Sequence, residues 1–345
     1  MVTTMNPDTS TRRAFGLDCI VDEYDSREAW LIGRQSLIGA SDTPGILDVG
    51  YEDQSMVTVY ESKINPPREV TDPAKLRRFT IGKLMEPALR SIFAEESGLT
   101  CESAGEFAIY RHREIPWLGA TLDGITVHDE YGACVVELKN VSNFNKSEWE
   151  GDEGPLKYTV QVQHQLAVTG ASHGFLLGLI GGYEPIIKTI ERNDRFIDAM
   201  LKRLAEFWGY VERREIPPAD ASAATGRVLG LLYPKDTGAT VPLKSEALRW
   251  AAEKTVAAAI AKEMEAAVQA ADNQIKAAIG ECSYGDLPPC SDQAAILGEA
   301  RNRLLAAAEE ATLNPTLPAR YSWKHQSRKG YVVAPTEFRV LRSAK

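Results

Sequence analysis

Apolar positions along the first two thirds of the chain change period several times, and each change marks an element. Leu76, Phe79, Leu84, Leu89, Ile92 and Phe93 recur at helical spacing and predict a helix with that face turned inward. Thr71-Asp72-Pro73 supplies its start, since proline in the first turn lacks only an N–H that the helix does not need, and Gly98 supplies its stop. Pro87 lies within it and predicts a kink or a split into two helices, because the ring removes one hydrogen bond and crowds the turn before it. Upstream, residues 28–35 read as a helix and Ile38 to Asp42 as a turn rich in small residues. Downstream, runs at 106–110, 119–128 and 133–140 read as strands, the last two joined by the turn Asp129-Glu130-Tyr131-Gly132. A helix over 157–168, strands over 174–180 and 184–191, and a helix over 195–213 follow.

The pattern shifts after Glu215, where Pro217-Pro218-Ala219-Asp220 reads as a linker. Beyond it an alanine-rich helix is expected over 245–279 and another over 291–312, with short closing strands at 321–324, 330–333 and 337–341. The alanine-rich stretch keeps no strict heptad, so plain helix describes it better than a coiled-coil face. The expected organisation is a flexible tail over 1–15, a main domain over 16–215 and an extension over 216–345.

Composition narrows the function classes. The net charge of -9 argues against a surface coated in basic residues for non-specific DNA binding, but it leaves room for a local phosphate-binding groove. The first residues have no apolar core of a signal peptide, and no apolar run is long enough to span a bilayer; Phe175 to Ile180 is a buried strand at most. Five cysteines at 19, 101, 134, 282 and 290 form no close pair, which points to reduced thiols and a cytoplasmic protein.

The candidate chemistry lies in the hairpin. Glu137 and Lys139 share one face of a strand, and a turn centred near Glu130 sets Asp123 opposite Glu137. Two adjacent carboxylates are costly to ionise unless a cation lies between them. Magnesium suits such oxygen ligands; one or two ions would polarise a phosphodiester and acidify a water. Lys139 would position or help deprotonate that water, or stabilise charge in the transition state. An acid-x-lysine triplet alone also describes an exposed hairpin with a surface ion pair. A second set at nearly the same spacing, Asp48 with Glu61-Ser62-Lys63, competes with it.

Three features favour the hairpin set. Glu86 in Gly82-Lys83-Leu84-Met85-Glu86 is a third carboxylate, though by itself it also reads as an exposed helical glutamate. Gln161 and Gln165 lie one turn apart on the following helix, where an amide can hold water or phosphate; a polar helix face accounts equally for Gln163 or Gln165. His164 reads as a packing or surface residue. The third feature is order: acidic helix, Asp strand, Glu-x-Lys strand, Gln helix.

In that order, across about residues 25–212, the sequence resembles the PD-(D/E)XK nuclease superfamily, and within it the YqaJ-type viral recombinases and lambda-type phage exonucleases. The matching stretches are Trp30 to Arg34, Ile38 to Asp42, Gly82 to Glu86, Leu122-Asp123-Gly124, Glu137-Leu138-Lys139 and Gln161-Val162-Gln163. The resemblance implies an α/β fold, a restriction-endonuclease-like core with a central mixed sheet flanked by helices, followed here by a mainly helical extension ending in short strands. It implies catalytic roles for Glu86, Asp123, Glu137, Lys139 and Gln161. It implies metal held by Asp123, Glu137, the Leu138 backbone carbonyl and Glu86, the last through water. Arg34 and Ser41 take the places that bind a 5′ phosphate, although Arg34 by itself also reads as a helix-surface arginine. The implied activity is Mg2+-dependent (Mn2+ substituting) 5′→3′ exonuclease action on double-stranded DNA ends in phage recombination, inside a bacterial host. The implied partners are a single-strand annealing protein and two further copies of the chain in a ring. Residues 216–345 have no counterpart in the minimal lambda-type enzyme. The rivals are a RecB-like or CRISPR-adaptation nuclease of the same fold, and a non-catalytic DNA-binding or assembly protein.

Overall fold

The structure, a computed structural model, describes residues 17–66, 72–233, 239–282, 286–287, 292–313 and 317. It opens with β1 (Ile20–Glu23), α1 (Arg27–Gln35), α2 (Thr43–Ile46), α3 (Met56–Ile64) and α4 (Pro73–Ser97). Then come β2 (Ala108–Arg111), β3 (Gly119–Ala120), β4 (Gly124–His128), β5 (Gly132–Val141), a 3-10 turn over Asn143–Trp149 and α5 (Leu156–Thr169). Strands β6 (His173–Ile180) and β7 (Glu184–Glu191) and helices α6 (Asp194–Arg213) and α7 (Ala223–Leu232) follow. The helix starts are chemically marked. Ser26 caps α1, Ser55 and Thr58 form a reciprocal capping box on α3, and Asp72 caps α4 ahead of Pro73.

The central sheet is mixed, in the order β4-β5-β6-β7. Its outer pairs are antiparallel and its inner pair, β5 with β6, is parallel. Parallel neighbours require a crossover, and α5 provides it. Alternate residues of β5 and β6 serve opposite faces. Val135 and Leu176 pack with Val162 and Leu166 of α5, whereas Val136, Leu138, Phe175 and Leu177 pack with Leu89 and Phe93 of α4. Both faces are covered, which is why β6 is apolar along nearly its whole length. A smaller antiparallel sheet, β1-β2-β3, lies beside it.

Three expectations need correction. The strand predicted over 119–128 is broken: β3 ends in the small sheet at Ala120, β4 begins in the central sheet at Gly124, and residues 121–123 pair in neither. Pro87 does not split α4, which runs unbroken from Pro73 to Ser97; one missing N–H is tolerated where Leu89 and Phe93 anchor the next two turns to the sheet. Only that second half turns inward, for Leu76, Phe79 and Leu84 are exposed.

The chain divides into two compact units after Leu232, not at the expected 215/216 boundary. Beyond the paired prolines, α7 buries Ala224, Thr225 and Val228, and Thr225 Oγ1 lies 2.9 Å from Ser55 Oγ at the start of α3. The second unit contains α8 (Glu246–Ile279) and α9 (Gln293–Ala311), neither with a buried residue. The expected tail over 1–15 and the closing strands at 321–324, 330–333 and 337–341 lie outside the described residues. Among the described residues no helix is long and apolar enough to cross a membrane.

Candidate active site

The break between β3 and β4 makes the site. Gly124 pairs with Val136 in antiparallel register, so Asp123 stands one step beyond the ladder, across from Glu137. Its Oδ2 accepts the Leu138 N–H at 2.9 Å, which fixes the carboxylate against the edge of β5. In an extended strand the N–H and C=O of one residue face the same edge, so the Leu138 carbonyl shares that side with Asp123. Arg90, one turn after Glu86 on α4, donates to the Asp123 carbonyl at 3.1 Å.

Glu137 is buried and held from two directions. Its Oε1 lies 2.5 Å from Lys139 Nζ, and its Oε2 accepts from Gln165 Nε2 at 2.5 Å. The Lys139 ammonium also sits 5.2 Å over the Tyr158 ring. Tyr158 is in turn wedged against Trp149 and accepts from the Tyr51 hydroxyl at 3.0 Å. Gly178 leaves the room Trp149 needs, since any side chain there would collide with the indole.

The charges are unbalanced in an informative way. Burial and the negative charge of Glu137 push the Asp123 carboxyl up to about 7. Burial works against the Lys139 charge, but Glu137 and Asp123 outweigh it and raise its pKa, so Lys139 is a fixed ammonium. Glu86 is half-buried, and burial raises its pKa against the opposing pull of Arg90 and Lys83. One lysine for a cluster of buried carboxylates leaves negative charge that a cation would relieve. The donors are all oxygen, as a hard divalent ion requires. Gln165 Oε1 is buried with no hydrogen-bond donor among the described residues. The residues therefore fit a divalent ion held by Asp123, Glu137 and the Leu138 carbonyl. Among the described residues no group of three or more His, Cys, Asp or Glu side chains is arranged to hold a metal ion.

One cleft of about 510 Å³ is lined by Asp123, Glu137, Lys139, Gln161 and Gln165, and equally by Arg34 and Ser41. Arg34 Nη2 donates to Ser41 Oγ at 3.1 Å, and its guanidinium lies 4.9 Å from the centre of the Trp30 ring. Gln163 points elsewhere: it donates to the Glu191 carbonyl at 2.6 Å and accepts the Asn193 N–H at 3.0 Å, joining α5 to the start of α6. His164 is wholly buried between Thr43 Oγ1 at 2.7 Å and the Gly119 carbonyl at 2.8 Å, and burial lowers its pKa to about 4. It is a packing residue.

The competing set does not assemble. Glu61-Ser62-Lys63 lies on helix α3, where the period-two argument fails, and Lys63 pairs with Asp42 rather than Asp48. Sequence reasoning missed Arg90, Tyr51 and Tyr158 and left Gln165 undecided. The i,i+4 spacing of Glu86 to Arg90 and of Gln161 to Gln165 was the available signal; nothing in the local pattern marked the tyrosines.

Fold and site together define an α/β protein with a central mixed sheet flanked by helices and a buried acidic cleft at a broken strand. Residues 29–172 match the YqaJ-like viral recombinase domain. Over 265 residues the chain is 29% identical to Uncharacterized protein YqaJ of Bacillus subtilis (strain 168), covering 75% of this chain and 80% of that one. Over that stretch the chain is similar to the YqaJ-type recombinases. Among solved structures it is similar to an alkaline exonuclease (LHK-Exo) from Laribacter hongkongensis, with a TM-score of 0.44 and 19% identity over 54% of this chain and 93% of that one. LHK-Exo in complex with dAMP gives a TM-score of 0.44 at 21% identity, over the same 54% and 93%. SSO0001 gives 0.31 at 14% identity, over 60% of this chain and 95% of that one.

Proposed function

We propose that the chain is a Mg2+-dependent exonuclease that degrades one strand of double-stranded DNA from its 5′ end. The observation that carries this reading is the single cleft in which the paired carboxylates and Lys139 share walls with Arg34 and Ser41. Arg34 and Ser41 hold the terminal 5′ phosphate, the planar guanidinium suiting a phosphate monoester. Asp123, Glu137 and the Leu138 carbonyl would hold the divalent ion, which supplies polarisation of the phosphodiester and a more acidic water. Lys139, fixed as an ammonium, orients the attacking water and offsets charge gathering on the phosphoryl oxygens. Gln161 and Gln165 line the approach and hold water or phosphate oxygen through their amides. The product is a 3′ single strand, suited to an annealing protein. A homo-oligomer, a ring of three on family grounds, and a cytoplasmic setting complete the reading; Mn2+ is expected to substitute for Mg2+.

Linear duplex labelled at either 5′ end, incubated with Mg2+ or with EDTA and compared with closed circular duplex, tests this. Metal-dependent nucleotide release from ends, with circles intact and 5′-phosphorylated ends preferred, is the expected result. Cutting of closed circles would overturn the exonuclease reading.

A further inference from the structure

Lys63 lies outside the acidic set, yet its side chain is only 5% exposed and its Nζ stands 2.7 Å from Asp42 Oδ2. The same ammonium donates to the backbone carbonyl of Arg34 at 3.2 Å, and the same Asp42 oxygen accepts the Gly39 N–H at 2.8 Å. One lysine on α3 thus ties the last turn of α1, which carries Arg34, to the segment 39–42, which carries Ser41.

Its charge has a second effect. Asp42 lines the same cleft as Arg34. A buried carboxylate there without a counter-charge would draw the guanidinium to itself and repel an incoming phosphate. Burial alone would push the Asp42 carboxyl up; Lys63 and Arg34 outweigh burial and hold it below the ordinary range, so the negative charge is present and needs cancelling.

The geometry points to Lys63 as the residue that positions the end pocket for a 5′-terminal phosphate monoester: it holds Asp42 and cancels its charge, leaving the Arg34 guanidinium free for the DNA end. This rests on the exonuclease reading above. The contacts bring together residues that the sequence placed in two separate candidate sets.

The test compares rates on duplexes ending in 5′ phosphate and 5′ hydroxyl for the wild type and for Lys63→Met, Lys63→Met/Asp42→Asn and Arg34→Ala, with thermal melting of each. Lys63→Met is expected to lower the phosphate preference about tenfold or more, the scale of one hydrogen bond to a charged group, and to do so through KM rather than kcat. The double variant is expected to recover most of that loss, because the carboxylate goes with its counter-charge. A merely structural role would move the melting temperatures in the same way but leave the phosphate preference of the folded single variant at the wild-type value. A folded Lys63→Met protein with wild-type preference, or a double variant no better than the single, overturns the proposal. If Lys63→Met does not fold, the double variant decides alone: preference kept upholds the proposal and preference lost overturns it. A wild type with no preference removes the end pocket itself and this proposal with it. Preference lost in Arg34→Ala but kept in Lys63→Met removes only Lys63.

Discussion

Gln165 Nε2 donates to Glu137 Oε2 at 2.5 Å, and this contact between two buried side chains joins α5 to the strand that carries the carboxylate. Removing the amide leaves a buried anionic oxygen without its donor. Gln165→Ala is expected to lower kcat by about 10- to 100-fold, the range for losing one hydrogen bond to a charged group, and to raise the Mg2+ concentration needed for half-maximal rate. Gln163→Ala should instead lower the melting temperature and leave the rate alone, since Gln163 bonds to the β7–α6 backbone, away from the carboxylates. Rates across a Mg2+ titration, with melts alongside, separate the two. A normal rate in Gln165→Ala would remove that residue from the site.

Lys139 is held as an ammonium, so its work is done by charge and placement. Lys139→Ala is expected to lose about 100- to 1,000-fold in kcat, the scale of one preorganised charge-stabilising donor. Tyr158→Phe keeps the ring under Lys139 and should cost little, whereas Tyr158→Leu removes the ring and should lower kcat. Single-turnover rates on a short duplex are the measurement; equal loss in both tyrosine variants would mean that the hydroxyl pair with Tyr51, not the ring, matters.

Asp123 and His164 give opposite pH dependences to the metal-free protein. Asp123 has a raised folded pKa, so between about pH 4 and about pH 7 the folded state holds a proton that the unfolded state has lost, and stability falls as pH rises across that window. His164 has a lowered folded pKa, so between about pH 4 and about pH 6.5 the unfolded state holds the extra proton, and stability falls as pH drops. Asp123→Asn should therefore flatten the loss on the alkaline side, and His164→Gln the loss on the acid side. Urea unfolding in EDTA across that range checks both signs. A parallel offset in either variant, with no change of slope, would contradict the linkage.

Much of this site was legible because strands obey a strict period. The face shared by Glu137 and Lys139, and the position of Asp123 across from Glu137, follow from a hairpin centred on residue 130, and the structure has that register. The competing set failed for a local reason: Met56 to Tyr60 is mostly apolar and fits either conformation, and the Ser55–Thr58 capping box is what marks it as helical. The inward face assigned to α4 failed in its first half because helical periodicity reports an apolar stripe, not whether a partner covers it. The extent of the first unit failed because two prolines mark a bend, whereas the burial of Thr225 depends on contact with Ser55, 170 residues away.

The unpaired step from Thr121 to Asp123 has a consequence for what leaves the enzyme. Upstream of it, Ile38 is bridged to Leu118, so the segment bearing Ser41 is tethered to the small sheet, whereas Glu137 belongs to the large one. On the proposed reading, those three residues act as a ruler: they set the span between the gripped end of the DNA and the bond that is cut. Lengthening that span should change the size of the released fragment before it changes how tightly the end is bound.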